Sequence, residues 1–227
     1  MQAGVENHSL SPHVRIGEGG RDRPLNHGFD REGKPMPRLF TGLQVPPAVR
    51  AVLSGLRGGL HGARWISPDH YHLTLRFFGD MERERASALD ACLMQLAHAP
   101  FTVQVSQLRV FGGDKPRALV ASVDPDPVLL DLQADQERLA RRLGFAPATR
   151  KFSPHITLAR LKEANAFQVA GFLSGLGALP SLQISVDHFA LFSSREGSGG
   201  GPYLIEALYL LDDGLDEEQG WDHYEIA

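Results

Sequence analysis

The tetrapeptide HLTL at residues 72–75 returns as HITL at residues 155–158, and this pair of segments decides how the chain folds. Each segment is typical of a short β-strand, because apolar leucine or isoleucine alternates with polar histidine and threonine. Of the ten histidines, only His72 and His155 are followed by threonine two residues later. Alternation places the histidine and threonine of each strand on one face, and the apolar residues on the opposite face, which we expect to be buried.

The sequence in front of each segment repeats as well. RLFTGLQVPPAVRAVLSGL begins at Arg38, and RALVASVDPDPVLLDLQADQ begins at Arg117. Each contains an apolar strand, a proline turn and an amphipathic helical pattern. A repeat of strand, helix and strand predicts two similar lobes whose matching strands face each other across a cleft. We therefore expect His72 and His155 to share one site.

The same periodicities predict further elements. A helix is expected over residues 82–98, and Gly144 is placed to end another helix that begins near Val128. Cys92 falls on the apolar face of the first of these helices, so we interpret it as a core residue. Strands are predicted over residues 38–45, 71–78, 101–111, 117–123, 155–160, 182–192 and 203–211.

The ends of the chain differ in composition from its centre. Residues 1–35 are polar and rich in Gly, His, Arg and Pro, which predicts a disordered leader. Residues 36–211 hold the regular patterns and are expected to form one bilobal domain. Residues 212–227 carry seven Asp or Glu and no Lys or Arg, so we expect an acidic tail. With a formal net charge of −4, the chain lacks the strong basic balance of a duplex-DNA binder.

Composition also excludes several kinds of site. A single cysteine allows neither an intramolecular disulfide nor a multi-cysteine metal site. The sequence has no apolar run long enough for a membrane span and no apolar segment typical of a secretory signal. The glycine-rich segment 196–202 lacks the Lys-Ser/Thr of a P-loop, so we interpret it as a connection between strands. We expect a cytoplasmic protein without a cofactor.

Two histidines and two threonines indicate acid–base chemistry at a phosphate. Imidazoles titrate near neutral pH, so one can accept a proton from an attacking water while the other donates a proton to the leaving oxygen. The hydroxyls of Thr74 and Thr157 can donate hydrogen bonds to phosphoryl oxygens as their negative charge increases. The sequence by itself does not assign the two proton roles.

Together with the strand RLFTGL at residues 38–43, the segments HLTLRFFGD and SPHITLAR resemble the two-histidine (2H) phosphoesterase superfamily. More narrowly, they resemble the bacterial RNA 2′,3′-cyclic phosphodiesterase family, also called 2′-5′ RNA ligase. The resemblance covers about residues 38–211. It implies an α+β fold of two pseudo-symmetric lobes, each an antiparallel sheet with outer helices, and an active-site cleft between them.

The resemblance also implies an activity. Members hydrolyse a terminal RNA 2′,3′-cyclic phosphate to a 2′-phosphate without a metal, and can join such an end to a 5′-hydroxyl without ATP. By position, His72 would donate the proton to the departing 3′-oxygen and His155 would accept the proton of water. Thr74 and Thr157 would bind the phosphate. The implied partner is RNA with a 2′,3′-cyclic phosphate end. We expect a monomer without a protein partner and without membrane contact.

Two arginines are further candidates for substrate binding. Arg160 stands where the family carries an arginine near the phosphate. Strict alternation puts it on the apolar face of its strand, unless the strand bulges after Leu158. Arg76 shares the parity of His72 and is the second candidate.

Several alternatives stay open at this point. His70, His72 and His155 could give three nitrogen ligands to zinc, although no Asp or Glu follows at a recognisable ligand spacing. A related 2H enzyme could act on a small cyclic nucleotide or a 2′-5′ oligonucleotide, because the motifs contact only the phosphate. A non-catalytic nucleotide- or RNA-binding module is the third alternative. Phe40 is either a core residue or a surface on which a base stacks.

Overall fold

The computed structural model describes residues 38–194 and 202–212. The predicted leader, the glycine-rich segment up to residue 201 and the tail from residue 213 lie outside the described residues. The strands and helices in these ranges are β1 (Arg38–Gln44), α1 (Pro47–Ser54), β2 (Ala63–Trp65), β3 (His72–Asp80), α2 (Arg83–Leu93), β4 (Phe101–Phe111), β5 (Ala118–Val123), α3 (Pro127–Arg142), β6 (His155–Leu161), α4 (Ala166–Leu176), β7 (Leu182–Val186), β8 (His188–Ser194) and β9 (Tyr203–Leu210).

The strands form one antiparallel sheet in the order β7-β4-β5-β6-β3-β1-β8-β9, and β2 pairs with β6. The strand order is symmetric about the contact between β6 and β3. Strand β5 of one lobe corresponds to β1 of the other, and β4 corresponds to β8. The two lobes join where Leu73 pairs with Ile156, the apolar residues inside the two repeated motifs. The predicted α+β fold of two pseudo-symmetric lobes is confirmed, with their sheets continuous through this one pair.

The helices anchor the apolar face of the motif strands. Helix α3 packs against β3 and β4, while α1 contacts β7, so each of these helices reaches strands of the opposite lobe. Leu73, Ile156 and Leu158 of the motif strands are almost completely buried in the same core as Leu129 and Leu132 of α3. Burial of apolar area stabilises by about 25 cal/mol per Å². The motif strands are therefore held firmly from one side, and their histidines and threonines lie on the other.

Two predicted elements are wrong in extent. Residues 182–192, predicted as one strand, form β7 and β8, which are separated at Asp187 and pair with β4 and β1 of different lobes. The helix predicted over residues 82–98 ends at Leu93. Helix α4 and strand β2 were not predicted. The Asn165 and Gln168 side chains form a capping box at the start of α4, and this pair is a sequence signal that identifies such a helix.

The predictions for Gly144 and Cys92 are confirmed. Gly144 ends α3 with φ of 73°, and the amide of Phe145 donates to the carbonyl of Ala140 across it. Cys92 packs against the main core. None of the helices in the described ranges is long and apolar enough to cross a membrane.

Candidate active site

The polar side chains of the two motifs converge where β3 meets β6. The strands are antiparallel, and the central apolar residues of the motifs pair directly. One residue to either side, the antiparallel register sets His72 beside Thr157 and Thr74 beside His155. Each histidine is therefore accompanied by the threonine of the other motif. All four side chains are half-buried on the face that the helices do not cover.

Both imidazoles are held in one tautomer by their own backbone. Nδ1 of His72 lies 2.8 Å from the carbonyl oxygen of His70, and Nδ1 of His155 lies 2.7 Å from that of Ser153. A carbonyl oxygen only accepts hydrogen bonds, so each Nδ1 carries the hydrogen and donates it. Nε2 is then a proton acceptor when the ring is neutral and a proton donor when it is charged. The two half-sites are equivalent in this respect.

Aromatic rings surround the histidines unequally. The ring of His72 lies 4.9 Å from Phe40, 5.6 Å from Phe192 and 4.9 Å from the edge-on ring of Tyr203, measured between centroids. His155 has an edge-on neighbour in Phe111, at 4.8 Å. Phe40 is only 2% exposed, so it is a core residue rather than a surface for a base. Its ring packs against the imidazole of His72.

This environment lowers the pKa of both histidines. The pKa of His72 falls from 6.5 to about 4, mainly because burial removes water from the imidazolium; the hydrogen bond to His70 opposes the change, and the charges of His155 and Arg160 add to it. Burial also lowers the pKa of His155, with the carbonyl of Ser153 opposing and Arg160 adding. Without a bound anion, the lowered pKa values favour the neutral form of both rings near pH 7. A bound anion would raise both pKa values.

A bulge brings Arg160 to the site. The pairing of β6 with β5 shifts by one residue at Leu158, so Leu158 and Ala159 are both buried and Arg160 returns to the face of the histidines. Its guanidinium is close enough to lower the pKa of both His72 and His155. The bulge that alternation required for Arg160 is therefore present, and its charge lies near both histidines.

A bulge at the equivalent position of β3 turns Arg76 away from the face of the histidines. The pairing of β3 with β1 shifts at Leu75, so Leu75 and Arg76 are both buried on the helix side. Nε of Arg76 lies 2.6 Å from a carboxylate oxygen of Glu137 on α3, and its guanidinium also donates to the carbonyl of Phe77. The prediction that Arg76 shares the face of His72 is wrong, because alternation fails at the bulge.

Sequence reasoning missed Phe77. The bulge turns this residue to the histidine face, where its side chain is 59% exposed. Its ring packs against Phe40 at 5.3 Å between centroids, and Phe40 in turn contacts His72. The available signal was the alignment of the two motifs, in which Phe77 occupies the position of Arg160.

The zinc alternative has no support in the geometry. Within residues 38–194 and 202–212, no three His, Cys, Asp or Glu side chains gather closely enough to hold a metal ion. His70 lies instead against the ring of Tyr203, at 5.6 Å between centroids.

Comparisons with known proteins place this chain in a family. A family model described as the 2′-5′ RNA ligase superfamily matches residues 45–198. An RNA 2′,3′-cyclic phosphodiesterase of Aquifex aeolicus is 29% identical over 153 residues, which are 65% of this chain and 81% of that protein. One from Escherichia coli is 27% identical over 173 residues, 73% of this chain and 92% of that protein.

A crystal structure of a Thermus thermophilus protein is also similar. It shares 26% identity and a TM-score of 0.63 over 77% of this chain and 97% of that one. The family model spans more than half of the chain and includes both histidine motifs. The prediction from the paired motifs is confirmed, and the chain belongs to the 2′-5′ RNA ligase superfamily of 2H phosphoesterases.

Proposed function

We propose that this chain hydrolyses the terminal 2′,3′-cyclic phosphate of RNA to a 2′-phosphate by acid–base catalysis without a metal. The observation that carries the proposal is the matched pair of imidazoles, His72 and His155, on one face of the sheet. In each ring, a backbone carbonyl fixes the proton on Nδ1 and leaves Nε2 for proton transfer. The names of the Aquifex and Escherichia relatives support the choice of substrate.

The proposed step is an in-line displacement at phosphorus. Nε2 of His155 accepts a proton from water, whose oxygen forms a new bond to phosphorus. The bond from phosphorus to O3′ breaks, and His72 donates its Nε2 proton to O3′. One water is consumed, and the products are a 2′-phosphate and a 3′-hydroxyl. With an RNA 5′-hydroxyl in place of water, the same displacement gives a 2′-5′ bond without ATP.

The family resemblance assigns His72 the donor role, and a bound phosphate would make its imidazolium easier to form. Without substrate, the charges of His155 and Arg160 help to lower the pKa of His72 to about 4. A phosphodiester anion offsets those fields, so substrate binding favours the imidazolium. Arg160 and the hydroxyls of Thr74 and Thr157 then stabilise the negative charge that develops on the phosphoryl oxygens.

Phosphorus NMR on an oligoribonucleotide with a 2′,3′-cyclic phosphate end, in excess EDTA, tests the proposal. Conversion to a 2′-phosphate is expected, and His72→Ala or His155→Ala should each lower kcat by about 10²- to 10⁴-fold, the usual contribution of one proton-transfer group. His61→Ala is the matched control, because His61 is exposed and lies outside the two motifs. Near-full activity of either motif variant, or turnover only with added zinc, would contradict the mechanism.

A further inference from the structure

The two half-sites carry the same acid–base groups. These groups alone therefore do not decide which ester bond of a cyclic phosphate breaks. Each half-site has a histidine bonded to the carbonyl two residues earlier and a threonine supplied by the other motif. A 2′,3′-cyclic phosphate carries two ester oxygens on one phosphorus. Turning it over in a symmetric site exchanges O2′ and O3′, so either bond could break. A single product requires a residue that differs between the halves.

On the exposed face of the motif strands, the two halves differ at the residue that follows each bulge. Strand β3 from His72 to Phe78 and strand β6 from His155 to Leu161 have the same order of buried and exposed residues. Within this shared pattern, the one exposed position is Phe77 in β3 and Arg160 in β6. One half therefore presents an aromatic ring to the cleft, and the other presents a cation.

The exposure of Phe77 is fixed by contacts on the opposite side of the sheet. Arg76, directly before it, is ion-paired to Glu137 and donates to the backbone carbonyl of Phe77. A second donation from Arg76 reaches the carbonyl of Ala146 beyond α3. These contacts hold the bulge and keep the ring turned outward. On the cleft side, Phe40 supports the ring.

We propose that Phe77 stacks on the nucleobase next to the cyclic phosphate and thereby decides which ester bond breaks. The inference rests on the proposed function and names its specificity residue. Aromatic rings bind bases of any sequence through their faces, whereas Arg160 attracts the phosphate. Because β3 and β6 run in opposite directions from the paired motifs, the two residues lie towards opposite ends of the cleft. A turned substrate would move its base from Phe77 to Arg160 and exchange the aromatic stack for contact with the guanidinium that attracts the phosphate.

The test uses adenosine 2′,3′-cyclic monophosphate and the oligoribonucleotide described above, with the 2′- and 3′-phosphate products separated by chromatography. The unsubstituted protein is expected to give one isomer. Phe77→Ala should raise KM by about tenfold, the loss of one base stack, and release a measurable share of the other isomer. Phe77→Trp should restore the single isomer. Phe167→Ala is the matched control, since Phe167 is 88% exposed and lies on α4.

The outcomes separate this inference from the proposed function. Absence of hydrolysis by the unsubstituted protein would refute the proposed function itself. Hydrolysis by that protein, followed by a single unchanged isomer from Phe77→Ala, would overturn the inference whatever the KM. Equal isomer mixtures from Phe77→Ala and Phe77→Trp would overturn it as well. Single-turnover conditions, with protein in excess, keep the isomer ratio measurable even in a slow variant.

Discussion

Removal of the Tyr203 ring should raise the pKa of His72. Tyr203 lies edge-on to the imidazole at 4.9 Å and, with Phe40 and Phe192, completes its apolar cover. Burial is the largest cause of the fall from 6.5 to about 4. The charges of His155 and Arg160 also contribute to the fall and stay in place, so the loss of one of the three rings should reverse less than half of it. Tyr203→Ala should therefore raise the pKa by about one unit, about 1.4 kcal/mol in favour of the imidazolium.

Histidine-selective NMR titration measures this change directly. The His72 resonance should titrate near pH 4 in the unsubstituted protein and about one unit higher in Tyr203→Ala. The acid limb of the kcat/KM profile should move by the same amount, because it reports the free enzyme. Phe111→Ala is the matched control: its ring is 4.8 Å from His155, so it should raise the pKa of His155 and leave that of His72 unchanged.

Two results would refute the reasoning. A His72 resonance that titrates near 6.5 in the unsubstituted protein would show that the rings do not dehydrate it. An equal rise in His72 from Tyr203→Ala and from Phe111→Ala would show a general loosening of the fold rather than a local gain of water. Thermal unfolding of both variants identifies that loosening separately.

The remaining predictions concern stability and pH. Gly42→Ala should lower the free energy of unfolding by about 1–3 kcal/mol, because a Cβ there would lie 2.7 Å from the carbonyl oxygen of Leu73. Gly171→Ala should raise it by about 0.5–1 kcal/mol, because a Cβ at this position of α4 meets open space. Urea unfolding measures both changes. Arg76→Ala should cost about 2 kcal/mol by the same assay, because the half-buried carboxylate of Glu137 loses the nearer of its two cations and keeps only Arg141, and a loss below about 0.5 kcal/mol would contradict that role. The kcat/KM profile should have its optimum below pH 6.5, since both free-enzyme pKa values are lowered, whereas the bound anion should move the kcat profile to higher pH; superimposable profiles would argue against the electrostatic account.

The repeated motifs were sufficient to predict the two-lobed fold and the family. Both have the same alternation of polar and apolar residues, and the apolar residues of both strands are buried in one core. The bulges were not predictable in the same way. A bulge depends on how a strand pairs with its neighbour, and alternation counted along one strand contains no such information. For that reason Arg76 was assigned to the wrong face and Phe77 was overlooked, while Arg160 was retained only by allowing for a bulge.

Contacts between distant parts of the chain were equally hidden. Phe192 and Tyr203 lie far beyond His72 in sequence and approach it only because β8 and β9 extend the sheet beside β1. The crossing at Asp187 does have a local signal, because the consecutive polar residues Asp187 and His188 interrupt the alternation of apolar residues and shift its phase by one. The low pKa of His72 follows from these long-range contacts, so it could not be predicted from the motif.

The single pairing of Leu73 with Ile156 also bears on how such a chain becomes active during synthesis. Neither half contains a complete acid–base pair, and each histidine faces a threonine made by the other half. When synthesis has reached the end of α3, the chain contains much of the core but only His72 of the two histidines. In the proposed mechanism, catalysis begins only when β6 is inserted beside β3, and a slip of one residue at that insertion would turn the second histidine into the core.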